Sequence, residues 1–177
     1  GQPDSNVIGY CLGGTLLTLT LAYLHAKKQE KRVASATFFT TLIDFEHAGD
    51  LKLFMDDAQI ALMDKAMAES GVLESTEMQR TFSLLRSNDM IWSFVVNNYL
   101  MGKEPFPFDL LYWNDDATNM PAVMHSFYLR KMYRDNVLKD AGGISMHDTP
   151  IDITKIKTPT YFLSTREDHI APWIATY

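Results

Sequence analysis

Asn6-Val7-Ile8-Gly9-Tyr10-Cys11-Leu12-Gly13-Gly14-Thr15 carries two patterns at once: a short apolar run suited to a buried, central parallel strand, and glycines flanking a cysteine. Gly9-Tyr10-Cys11-Leu12-Gly13 matches G-x-S-x-G, the strand-to-helix bend that exposes a nucleophile, with cysteine for serine. Side chains two residues from such a bend are expected to meet neighbouring backbone, so glycine at 9 and 13 relieves the crowding and Gly14 adds room. The bend sets Cys11 at a helix N-terminus, where the dipole is expected to lower the thiol pKa, and leaves the Leu12 N–H to bind an oxyanion. The competing reading is a small buried apolar cysteine.

Downstream, Thr15 to Lys28 carries Leu16, Leu17, Leu19, Leu21 and Leu24, which predicts a helix apolar around most of its girth and mostly buried. Val33 to Thr41 is β-branched and aromatic, so the second strand belongs there. Strand, tight turn, helix and strand make a right-handed βαβ unit. From Asp44 the pattern turns helical: Asp56 to Ser70, Glu77 to Arg86, Met90 to Leu100 and Ala122 to Asn136, with Thr76 and Gln79 as a capping box. Gly71 and Gly102 stand where helices end, and Pro105 and Pro107 forbid continuation. We expect a partial parallel α/β core over 1–43 and 137–177, with a mainly helical lid inserted at 44–136. Ile151, Ile153 and Ile156 resume strand chemistry, and Thr160 to Ser164 is the last strand, ending in Thr165-Arg166-Glu167-Asp168-His169.

Asp168 follows its strand at the edge where α/β sheets place functional loops, and it comes after the nucleophile, as the acid of such a triad should. Alternatively it caps a turn ahead of Ile170 and Pro172. His169 is a poor base, because neighbours at a strand end rarely turn their side chains on each other. His25, His47, His125 and His147 precede the acid and read as surface or packing residues. The base is therefore expected outside these residues.

The motifs together are identified with a family. Gly9-Tyr10-Cys11-Leu12-Gly13-Gly14, Ser87-Asn88-Asp89-Met90-Ile91-Trp92 and Asn97-Asn98-Tyr99-Leu100 are three of them. Pro107-Phe108-Asp109-Leu110-Leu111-Tyr112-Trp113-Asn114, Asp116-Ala117-Thr118-Asn119-Met120-Pro121 and Arg166-Glu167-Asp168-His169-Ile170-Ala171-Pro172-Trp173 follow in order. The chain resembles the polyhydroxyalkanoate synthases of the short-chain, single-subunit type. That resemblance implies an α/β-hydrolase core and an acyltransferase that joins (R)-3-hydroxyacyl-CoA units into polyester with release of CoA. It puts the nucleophile on Cys11 and the acid on Asp168, with the histidine in a segment beyond Tyr177. It also implies no cofactor, since the CoA thioester is itself the substrate. The partners it implies are hydroxyacyl-CoA, the growing polyester chain, a second copy in a homodimer, and a polyester granule surface in the cytoplasm. The alternatives are a cysteine hydrolase of dienelactone-hydrolase or thioesterase kind, and a non-catalytic granule-associated protein of the same fold.

Composition agrees with a soluble enzyme core: 46% hydrophobic, 21% charged, formal charge −6. That charge argues against nucleic acid, and Lys27, Lys28, Lys31 and Arg32 read as a solvated helix end. One cysteine rules out an internal disulfide, and there is no apolar run of membrane-spanning length and no signal peptide, so a cytoplasmic setting is expected. Because a strand starts by Asn6 and the chain stops just after a βα loop, an internal piece of a longer protein is expected, inactive alone. No residue set suggests a metal. Trp113, Asn119 and His169 are candidate substrate or lid contacts. Trp113 otherwise reads as a packing anchor, and Asp116 and Asn119 as caps for the helix after Met120. The methionines of the helical segment suit a surface that repacks, or fill gaps in a helical core.

Overall fold

The computed structural model describes residues 4–85, 87–105, 107 and 109–176; the expected helix end at Arg86 and the motif residue Phe108 lie outside them. The chain forms two compact units, Gly1–Ile60 with Phe127–Tyr177, and Ala61–Ser126. Asp44 and Asn136, the expected limits of the helical insertion, lie in the first unit and hydrogen-bond each other at 2.7 Å.

In the first unit β1 (Ser5–Tyr10) runs into α1 (Leu12–Ala26), and β2 (Val33–Phe39) returns parallel beside it, pairing Val7 with Ala36 and Tyr10 with Phe39. The second unit follows in the chain. It holds α2 (Asp57–Ser70) from Ala61 on, then β3 (Val72–Leu73), α3 (Ser75–Leu85), wide helical turns over 88–92 and 95–100, α4 (Asp109–Asp115), β4 (Met120–Pro121) and the start of α5 (Ala122–Tyr128). Here β3 and β4 pair antiparallel, and the Asn119 Oδ1 accepts from the Ser75 N–H at 2.9 Å. Asn119 thus serves α3, not the helix after Met120, and α3 begins one residue before the expected cap at Thr76. The chain re-enters the first unit at Phe127, within α5, and later forms a hairpin of β5 (Ile144–Met146) and β6 (Thr149–Ile151), so the Ile151 region is antiparallel. It ends in β7 (Thr160–Leu163), which pairs parallel with β2.

The main sheet has the order β1-β2-β7. Strand alternation sends Val7, Ala36 and Phe38 to one face, where they pack on Leu17 and Leu21 of α1 beside Val33 and Ile156. Phe38 also stacks on Phe162 at 4.8 Å. The opposite face is open: Ile8 is 69% exposed and Tyr10 65%. Two expectations are corrected by this. β1 is an edge strand among the described residues, buried on one side only. α1 buries Thr15, Thr18, Leu19, Leu21 and Ala22 but leaves Leu16 63% exposed, because it meets one sheet face. No helix among the described residues is long and apolar enough to cross a membrane.

The loop after β2 is anchored on three sides. Thr15 Oγ1 donates to the Leu42 carbonyl at 2.9 Å, in the buried interior. Asn136 Oδ1 accepts from the Phe45 N–H while its Nδ2 donates to Asp44, both at 2.7 Å. Ile43 N–H reaches the Ala175 carbonyl at 3.1 Å, and Asp50 N–H the His169 carbonyl at 2.9 Å. Gly49 there has φ 63°, and a Cβ on it would strike the His169 carbonyl. Burial raises the Asp44 pKa, but the Glu46 N–H, the Asn136 amide and Lys139 outweigh it and hold the carboxyl below its usual range.

Asn136→Ala should lower stability by about 1–3 kcal/mol, because it strands the Phe45 N–H and deprives Asp44 of a donor. Lys139→Ala, which removes an exposed ion pair, should cost much less. Urea unfolding of both variants checks this; an Asn136→Ala midpoint equal to that of Lys139→Ala counts against the anchoring role.

Candidate active site

Cys11 occupies the bend between β1 and α1 with φ 50°, ψ −122°, a backbone region that side chains avoid without compensation. Its N–H continues the sheet ladder to the Phe39 carbonyl at 2.9 Å, and its carbonyl accepts from Gly14 at 2.9 Å. The bend is thus held from both sides. The glycines divide differently from the expectation. A Cβ on Gly9 would lie 2.5 Å from the Gly14 Cα, and one on Gly14 would run into the Thr41 side chain. A Cβ on Gly13 meets nothing within 4 Å, so the crowded pair is Gly9 and Gly14, whose close approach lets the helix start against the strand.

The thiol's electrostatics also correct an expectation. Burial pushes the Cys11 pKa up; the Leu12 N–H, donating to the sulfur, opposes this, and the nearby Asp168 carboxylate adds to the rise. The residue is exposed, yet crowding by neighbouring protein atoms outweighs one N–H at the helix start. The thiol is therefore favoured over the thiolate.

Asp168 stands in the loop after β7. Because β1, β2 and β7 run parallel, Cys11 and Asp168 emerge at the same sheet edge, two strand spacings or about 10 Å apart. Asp168 Oδ1 accepts from the N–H groups of Ile170 and Ala171 at 2.9 and 2.8 Å, so the turn-capping reading holds for that oxygen. Thr165 Oγ1 reaches Oδ2 at 3.5 Å, a weak bond that leaves Oδ2 the less committed oxygen. His169 sits beside it and contributes its backbone carbonyl to the Asp50 anchor.

Cys11, Leu12, Gly9, Gly13, Gly14, Asp168 and His169 all belong to the first unit. Trp113 and Asn119 belong to the second, where Trp113 is 69% exposed and so is not a packing anchor within that unit. His125 is buried there, with its pKa lowered by burial against the opposing charge of Asp64. Among the described residues no cluster of three or more His, Cys, Asp or Glu could hold a metal ion.

Two residues that the sequence pattern did not single out approach the site. Tyr128 and Tyr133 pack together, and the charge of Cys11 is a lesser cause of a raised pKa at both. Burial is the main cause that raises both phenols, Tyr133 to about 12. Their rings meet edge-on at 5.4 Å, and Phe45 packs against both at 6.0 and 5.0 Å. After α5 the chain winds in wide turns over Leu129–Arg134, closing bonds five residues apart such as Asp135 N–H to the Arg130 carbonyl at 2.8 Å. That winding brings residues 128 and 133 onto one face. A regular helix would turn them well apart, and so the 3.6-residue period could not find the pair.

Gly14→Ala should destabilise the protein by about 1–3 kcal/mol through overpacking against Thr41, whereas Gly13→Ala should be neutral or stabilising by up to about 1 kcal/mol. Thermal unfolding distinguishes them, and equal losses would refute the division. The iodoacetamide reaction of Cys11 should rise with pH to a midpoint above that of an ordinary thiol. Asp168→Asn, which keeps the turn-capping oxygen, should shift that midpoint down because it removes a negative charge. An unchanged midpoint would mean the carboxylate does not act on the sulfur.

Comparison with known proteins accords with this geometry. The family model for the alpha/beta hydrolase fold matches residues 1–177. The chain is 52% identical over 177 residues to the poly(3-hydroxyalkanoate) polymerase of Methylorubrum extorquens, covering all of this chain and 29% of that protein. It is 51% identical over 172 residues to the poly(3-hydroxyalkanoate) polymerase subunit PhaC of Rhizobium meliloti, covering 97% of this chain and 28% of that one. To the corresponding subunit of Cupriavidus necator it is 44% identical over 182 residues, covering 100% and 31%. The chain thus spans about 30% of the length of these relatives. With a parallel sheet, a strained cysteine bend and a match that runs from end to end, the chain belongs to the alpha/beta hydrolase fold family.

Proposed function

We propose that these 177 residues are the nucleophile-bearing segment of a poly(3-hydroxyalkanoate) polymerase, acting on 3-hydroxyacyl-CoA thioesters. The observation that carries this reading is a cysteine held at positive φ on the sheet edge that also presents Asp168, within electrostatic reach of it. The printed names of the relatives support the substrate class.

A raised thiol pKa means that Cys11 requires a base. In this scheme a histidine from outside these residues takes the Cys11 proton, and Asp168 orients that imidazole through Oδ2. The sulfur attacks the thioester carbonyl; the oxyanion collects the Leu12 N–H, which in the resting state donates to the sulfur. The carbon–sulfur bond to CoA then breaks, and the leaving thiolate takes the proton held by the base. One thioester replaces another, so the acyl group stays activated. The 3-hydroxyl of the next unit attacks it, giving its proton to the same base and freeing Cys11. The thioester supplies the activation, and no step passes through a cofactor. The same reading has the full-length polymerase work as a homodimer at the surface of a polyester granule. Trp113 and Asn119 have no assigned step.

In the full-length polymerase, Cys11→Ala should abolish both the acyl-enzyme seen by mass spectrometry and the release of CoA from 3-hydroxybutyryl-CoA, a loss of at least about 10³-fold. CoA release by Cys11→Ala at the parent rate would overturn the assignment. Free 3-hydroxy acid as the wild-type product, in place of polyester, would make the protein a hydrolase.

A further inference from the structure

A single peptide unit joins the nucleophile bend to the acid strand. The Phe39 carbonyl accepts from the Cys11 N–H at 2.9 Å, and the Thr40 N–H of the same peptide donates to the Leu163 carbonyl at 2.8 Å. Thr40 therefore stands between the loops that carry Cys11 and Asp168, one strand spacing, about 4.8 Å, from each neighbouring strand. The acid loop folds back on its own strand end, since Thr165 Oγ1 lies 3.5 Å from Asp168 Oδ2.

Thr40 itself is strained. Its φ is 44°, a left-handed conformation that β-branched residues adopt only under compulsion, and among the described residues it is the one β-branched side chain at positive φ. The compulsion comes from both sides. Two strands hold the peptide before it, and Thr41 after it is buried against Gly14 with its hydroxyl on the Phe39 carbonyl at 3.2 Å. Those contacts use the backbone and Thr41, so glycine or asparagine at position 40 would keep them with less strain. The hydroxyl of Thr40 is half-buried and makes no hydrogen bond among the described residues, whereas those of Thr15, Thr18 and Thr41 all do. The side chain strains the fold and gives it no bond, which is the usual mark of a functional position.

We propose that Thr40 is a positioning residue for the acid, its hydroxyl donating to Asp168 Oδ2 when the base is seated between Cys11 and Asp168. Oδ1 is already fixed by the Ile170 and Ala171 N–H groups, while the Thr165 bond to Oδ2 is long. A carboxylate oxygen accepts from more than one donor, so Thr40 and the imidazole can share Oδ2. Rotation about χ1 re-aims the hydroxyl without moving the strained backbone. With both oxygens held, the carboxylate plane is fixed, and the imidazole it orients is fixed with it. The inference deepens the polymerase reading above and rests on it.

The test uses the full-length polymerase and follows single-turnover acylation of Cys11 by 3-hydroxybutyryl-CoA with mass spectrometry. Thr40→Val keeps the β-branched shape, and with it the strain, but removes the hydroxyl. It should slow acylation about tenfold with an unchanged thermal midpoint, and Thr40→Ser should stay within about twofold of wild type. In an Asp168→Asn background, where the orienting charge is gone, Thr40→Val should add less than about twofold. No loss in Thr40→Val, an equal loss in Thr40→Ser, a fallen midpoint, or the full loss on top of Asp168→Asn would each overturn the positioning role while leaving Cys11 as nucleophile. If wild-type Cys11 is not acylated at all, the polymerase reading fails and takes this inference with it.

Discussion

The loop that leaves β2 is the constraint on which the rest of the site depends. A thiol on a strained bend, a carboxylate two strands away and a pair of phenols from a distant helix have no direct bond among them. Each is fastened to Thr40–Asp50 instead: the bend through Thr15 to the Leu42 carbonyl, the acid loop through Ala175 and His169, the phenols through Phe45 and Asn136. Each of these hydrogen bonds engages a backbone N–H or carbonyl of the loop, and an unmet buried donor is expensive. A loop held that way behaves as a rigid spacer.

Rigidity has an electrostatic consequence. Neighbouring protein atoms and a nearby negative carboxylate raise the pKa of Cys11, so its resting form is the neutral thiol despite the N–H at the helix start. A resting thiol is protected from casual alkylation and oxidation, which require the thiolate. Reactivity must come with a base that removes the proton as substrate arrives. Asp168 is suited to such a base, with one oxygen spent on two backbone N–H groups that fix the carboxylate and the other more lightly engaged.

The parallel order β1-β2-β7 accounts for the edge on which all this gathers. Parallel strands end on the same side, so whatever follows β1, β2 and β7 in sequence becomes neighbouring loops in space. Cys11, the anchoring loop and Asp168 are those three followers.

Much of this was legible in the residues themselves. Gly9, Cys11 and Gly14 announce a strand-to-helix bend because only a nearly bare backbone lets helix and strand approach so closely, and Asp168 after an apolar strand announces the second loop. These are local signals, carried by steric size and strand chemistry over a few residues. Other features arose only on folding. Gly13 looked as necessary as Gly9 by spacing, yet its Cβ position is open: the crowding falls on Gly9 against the Gly14 backbone and on Gly14 against Thr41, far along the chain. Val7-Ile8-Gly9-Tyr10 read as buried throughout, but burial depends on which faces acquire a neighbour, and here one does. The thiol's shift is upward because desolvation by surrounding atoms outweighs a helix end that sequence alone can foresee. Tyr128 and Tyr133 were invisible to a helical period because the chain changes its winding between them. Local sterics are written in short stretches of sequence; burial, electrostatic balance and the alignment of distant side chains exist only once the chain has closed on itself.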